Sequence, residues 1–209
     1  MSCFPAATRH QFVHDLQSAM RDVVSCGSAG EVHALRSAAL RASVALELLG
    51  WRALRNDLRW LRRTAGRLRD WDVSHGAAAP AQRSALVHEL QAQLHSARAQ
   101  CLPDALARVL QTRAPSHHLG PQGQLQCLAR RALGTHDPHR LRQRLRRLRL
   151  ALDMLGLTHD AGAMREVVDR LGRWHDELQA PQSSTLDRTY KKARRSWRRA
   201  APIVRRYAS

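Results

Sequence analysis

This chain is short of almost every residue type that would suggest a sheet, a secreted scaffold or a catalytic centre. Aromatic residues make up only 4% of its 209 positions, and β-branched residues are sparse, which removes the usual material of strands. No apolar run approaches the ~20 residues of a membrane span. The N-terminal MSCFPAATRHQFVHDLQ lacks the apolar segment of a signal peptide, so a soluble, cytoplasmic protein is expected. Cysteines are few, and Cys3, Cys26, Cys101 and Cys127 stand far apart without a CxxC pair. They read as free, buried thiols of a reducing compartment. There is no glycine-rich nucleotide loop, and no carboxylate pair placed for acid–base work on a phosphoanhydride. His117-His118 and His175-Asp176-Glu177 lack the ligand spacing of a metalloenzyme. Asp70, Asp72, Asp176 and Glu177 read as helix-end partners of nearby arginines. The expectation is a protein that is not an enzyme and has no metal or cofactor.

Negative charge is also scarce. Asp and Glu total 17 against 35 Lys and Arg, and only Lys191 and Lys192 of the latter are lysine. The formal net charge is +18. A compact body so charged repels itself, so a polyanionic partner is the natural counterweight. Arginine suits phosphate because its planar fork donates paired hydrogen bonds and never loses its charge.

What is abundant is alanine, leucine, arginine and glutamine, a helix-forming set, and an all-α fold is expected. Helices are predicted from Thr8 to about Cys26, from Gly30 to Leu49, and from Trp51 to Val73. After a gap at Ala77–Pro80, a helical stretch runs from Ala81 and restarts at Pro103. Residues 114–123 (APSHHLGPQG) form the connecting loop between two halves, 8–113 and 124–209, of one domain covering 1–209. Beyond it come a short helix to Leu133, then Pro138–Leu155, Asp160–Leu178, and Thr185–Ala201 with a break at Pro202.

Residues 32–73 and 138–179 align without a gap, 106 positions apart, with 12 of 42 pairs identical. The pairs that composition does not explain are His33/His139, Ala45/Ala151, Gly50/Gly156, Gly66/Gly172 and Asp70/Asp176. Such a duplication implies a two-fold pseudo-symmetric fold. On a helical wheel Leu141, Leu145, Leu148, Leu152 and Leu155 form an apolar stripe, matched by Leu35, Ala39, Ala42, Leu46 and Leu49. His139, Arg142, Arg146 and Arg149 fall in a separate arc of about 80° with no acid between Pro138 and Leu152. The first copy offers His33 and Arg36 at the matching places, then Leu40 and Ser43, with Arg41 opposite Arg147. A ridge of this kind is either a solvated face or an anion site, and the doubling favours the site.

The doubled His-x-x-Arg pattern with further arginines resembles the conserved-histidine α-helical domain (CHAD) family. So does the segment Gly66-Arg67-Leu68-Arg69-Asp70-Trp71-Asp72-Val73, which is similar to that family's LGxxRDxDV turn. Its counterpart here is Gly172-Arg173-Trp174-His175-Asp176. The resemblance covers roughly residues 8–200. It implies two antiparallel helical bundles related by an internal pseudo-two-fold repeat, with a basic channel between the two helical halves that binds inorganic polyphosphate. Carried over by position, the binding residues would be His33, Arg36, Arg41, Arg67 and Arg69 in the first half. In the second they would be His139, Arg142, Arg146, Arg147 and Arg149. The basic helix starting near Thr185 is similar to a Tyr-containing helix of the family's channel and adds Lys191, Lys192, Arg194 and Arg195. Association with polyphosphate granules in the cytoplasm is the matching expectation. The alternative is a non-specific nucleic-acid-binding protein using the same basic helices, for which +18 and five tryptophans also suffice.

Overall fold

The computed structural model describes residues 4–75, 80–112, 119–179 and 186–209. Cys3, His117-His118, the tip of the connecting loop at 114–118, the gap at 77–79 and the helix start at Thr185 lie outside the described residues. The chain divides into two compact units, Met1–His118 and Leu119–Ser209. All regular structure among the described residues is helical.

In the first unit α1 (Ala6–Ser25), α2 (Ala29–Leu48), α3 (Arg55–His75) and α4 (Pro80–Leu94) form a closed four-helix ring. Each packs on the next and α4 returns to α1. The short α5 (Ala97–Gln100) leads to α6 (Leu102–Gln111), which lies on α1. The second unit is a ring of α7 (Gly120–Leu133), α8 (Pro138–Met154), α9 (Thr158–Gln179) and α10 (Leu186–Ala208), with α10 returning to α7.

Local chemistry sets most of the ends. Ser28 and Glu31 form a reciprocal capping box that starts α2. Asp137 accepts from the His139 and Arg140 amides, and Pro138 occupies the first turn of α8. The C-terminal ends of α2 and α8 are built alike at the 106-residue offset. Gly50 (φ 75°) and Gly156 (φ 77°) adopt left-handed backbone, which a side chain resists. Beyond each glycine the chain bonds back across the last turn: the Trp51 amide to the Leu46 carbonyl at 2.8 Å, and the Leu157 amide to that of Leu152 at 2.9 Å. The apolar stripes are core: Leu35, Ala39, Ala42, Leu46, Leu145, Leu148 and Leu152 are fully buried, while Leu155 is half-buried. Each buried leucine contributes roughly 1.5–3 kcal/mol.

Several boundaries differ from expectation. The first helix begins before Thr8, because Phe4 is buried edge-on against Phe12 (5.7 Å) and fixes the chain's entry. The third begins at Arg55, not Trp51, since the turn after Gly50 runs on through Leu54, itself at φ 58°. The stretch before Pro103 also breaks at Ser96, whose hydroxyl caps α5. The connecting loop ends by Leu119, and Gly120–Gly123 belong to the first turn of α7 with Pro121. The last helix does not stop at Pro202. It continues to Ala208 because its end is tied to the bundle: Val204 is buried, Tyr207 donates to Asp160 at 2.6 Å, and Arg206 pairs with the same carboxylate at 3.2 Å. These contacts outweigh the missing amide of the proline. Finally, Cys26 and Cys101 are exposed and Cys127 is half-buried, so these thiols are free but not core.

Candidate functional site

The stripe Leu141, Leu145, Leu148 and Leu152 turns inward and fixes the rotation of α8. The row His139, Arg142, Arg146 and Arg149 is thereby laid along the flank that meets α9. Two contacts locate it. The His139 ring sits 4.9 Å from that of His175, and the Arg142 guanidinium lies over Gly172. Both pairs follow from one antiparallel register about the turn at Gly156. The Gln143 amide lies 2.7 Å from His139 Nε2 and steadies the ring. Among the described residues no carboxylate pairs with Arg142 or Arg149, and Arg149 Nε is buried with no hydrogen-bond partner. The acid at the start of α8, Asp137, is taken by Arg140 at 3.6 Å. Arg144 turns to the α7 side and donates to the Thr135 hydroxyl and the Arg131 carbonyl.

Sequence reasoning sets His175 aside with Asp176 and Glu177, because that triplet lacks metal-ligand spacing. The signal was the hairpin register, which opposes 139 to 175 and 142 to 172. Asp176 forms no ion pair among the described residues, whereas Glu177 accepts from the Thr189 hydroxyl at 2.7 Å. Beside the histidines, Trp174 packs against Tyr190 of α10 at 5.3 Å. On α10, Lys191 is paired with Asp187 at 2.7 Å and Arg199 with Glu166 at 2.9 Å. Lys192, Arg194 and Arg195 are exposed and carry no ion pair among the described residues.

The matching flank in the first unit is different. His33 is exposed, but Arg36 is tied to Asp70 of α3 at 3.7 Å. Burial pushes the Arg36 guanidinium below its usual pKa, with Asp70 opposing the fall and Arg69 adding to it. Leu40 and Ser43 are buried, at 3% and 7% exposure, within a helix covered nearly all round from Ala38 to Leu48. Arg41 lies about 140° around α2 from Arg36 and pairs with Asp15 of α1 at 3.0 Å. Arg147 occupies the same off-row position on α8. Arg67 pairs with Glu89 of α4, and Arg69 is half-buried. Asp72 meets Arg83 at 2.8 Å, the helix-end use expected of it. Among the described residues no group of three or more His, Cys, Asp or Glu could hold a metal ion, and no helix is long and apolar enough to cross a membrane.

The chain is similar to a solved structure, the crystal structure of the CHAD domain from the plant Ricinus communis. The two share 20% identity with a TM-score of 0.63, over 96% of this chain and 81% of that one. That likeness is one of fold: the chain has a CHAD-like, all-helical architecture. No family model and no curated protein matches it.

Proposed function

We propose that this protein is a non-catalytic module that binds inorganic polyphosphate through the α8–α9 flank, with His139, Arg142, Arg146, Arg149 and His175 as the contacting residues. The observation that carries the reading is a row of guanidiniums, two of them (Arg142 and Arg149) without ion pairs among the described residues, beside two neighbouring imidazoles on a CHAD-like fold. Such donors suit a ligand that offers only phosphate oxygens. Lys192, Arg194 and Arg195 would extend the contact along α10. The shared helix ends at Gly50 and Gly156 support a duplicated origin, with the second copy as the stronger binder. A cytoplasmic setting beside polyphosphate granules goes with this reading.

The exposed cations of α10 favour a second reading, nucleic-acid binding. Single strands need aromatic platforms between the basic groups, and three of the five tryptophans already have ring partners: Trp60 lies under Arg98, Trp71 stacks on His75, and Trp174 packs on Tyr190. Competition between long-chain polyphosphate and mixed-sequence DNA tests the choice. Polyphosphate is expected to displace DNA from the protein. The reverse, with no effect of substitutions at Arg142 and Arg149, would leave nucleic acid as the ligand. Binding should weaken with salt, the direction known for polyanion contacts.

A further inference from the structure

We propose that Gly172 is a positioning residue for this site: having no side chain, it seats the Arg142 guanidinium against α9 and holds it ready for phosphate. The inference rests on the polyphosphate reading and concerns how the site is held.

A Cβ built at Gly172 would lie 3.0 Å from Arg142 Nη2, 3.2 Å from Cζ and 3.4 Å from Nε. Three atoms of one planar group at nearly equal distance mean that the guanidinium lies across the glycine. Its donors point outward in the plane, so this contact leaves the edges free for paired hydrogen bonds. A stem ordered beforehand loses less freedom when the ligand arrives. Glycine is a poor choice inside a helix on propensity alone, and backbone conformation does not require it here, since Gly172 is not among the glycines with positive φ. The first unit supplies the contrast. Around Gly66, at the same place in the repeat, a Cβ would meet nothing within 4 Å, and Arg36 goes instead to Asp70. Steric room for an arginine is therefore a reason for glycine at 172 and not at 66.

The test is a size series in the full chain, with long-chain polyphosphate affinity measured by calorimetry over a range of salt. Arg142→Gln should weaken binding about tenfold, the loss of one charge-assisted contact. Gly172→Leu should come close to that loss and Gly172→Ala should fall between it and wild type, while Gly66→Ala leaves affinity unchanged. The Gly172→Leu, Arg142→Gln double variant should bind no more weakly than Arg142→Gln alone, because the seat acts only through Arg142. Thermal melting of Gly172→Ala should not fall below wild type, and that variant carries the test if the leucine does not fold. Nitrogen-15 relaxation of the Arg142 Nε–H supplies a readout without ligand: it should be ordered in wild type and mobile in the variants. If Arg142→Gln weakens binding but neither Gly172 variant changes affinity or Nε–H order, or if the double variant sums the losses, the proposal is wrong. If wild type fails to bind polyphosphate at all, the functional reading fails instead, and Nε–H order alone then decides whether Gly172 seats the arginine.

Discussion

The α2–α3 and α8–α9 hairpins share an ungapped register and the same glycine-closed helix end, yet they dispose of their charges in opposite ways. Residues 1–118 hold 15 Arg against nine Asp and Glu, and residues 119–209 hold 20 Lys and Arg against eight. In the first unit Arg36, Arg41, Arg55, Arg67, Arg83 and Arg98 each reach a carboxylate. In the second Arg140, Arg170, Lys191, Arg199 and Arg206 reach carboxylates, whereas Arg142 and Arg149 gain none among the described residues. Equivalent positions on a helix flank can therefore join the core or stay charged. Leu40 and Ser43 took the first course, Arg146 and Arg149 the second.

The largest effect should come from forcing the first flank to copy the second. Leu40→Arg with Ser43→Arg places two guanidiniums at buried sites, so a loss of about 3–5 kcal/mol is expected in chemical denaturation. Because both positions are buried, matching the two rows in this way is not expected to tighten binding. A melt equal to wild type would show that the flank opens easily.

The reverse exchange, Arg146→Leu with Arg149→Ser, should act on affinity. With charge-assisted contacts worth about 1.5–3 kcal/mol each, polyphosphate binding should weaken at least tenfold with little change in melting temperature. Arg36→Gln, whose charge is already answered by Asp70, should cost less. Equal losses from the two units would erase the asymmetry.

A smaller effect concerns the anchor of α10. Burial raises the pKa of Asp160, but its bonds from Tyr207 and His159 and the Arg206 charge outweigh this and hold it below the usual carboxylate value. Burial, with Asp160 beside it, pushes Tyr207 up to about 12. A depressed acid stabilises above its unfolded pKa and ceases to as pH falls through the folded one; a raised tyrosine stabilises below ~10 and ceases to as pH approaches 12. Asp160→Asn should cost about 1–3 kcal/mol at neutral pH and flatten the melting profile at both extremes. An unchanged profile would mean that α10 holds its end by packing alone. The smallest change is expected from Arg67→Gln, which breaks an exposed pair with Glu89 and should move stability by no more than about 1 kcal/mol.

Sequence alone determined what depends on near neighbours along the chain. The 3.6-residue periodicity marked Leu145, Leu148 and Leu152 as core, Pro138 and Gly156 bounded α8, and the spacing put His139, Arg142, Arg146 and Arg149 on one flank. Those features are set by backbone geometry and local hydrogen bonds. Contacts between helices decided the rest. The sequence held Leu40 and Ser43 as surface substitutes for arginine, but neighbouring elements cover them. Pro202 read as a stop, but Asp160, 42 residues earlier, holds the helix beyond it. His175 and Gly172 gained their meaning only when α9 was laid against α8. Which acid answers which arginine depends on the pairing of helices, and composition and spacing do not encode that pairing one helix at a time.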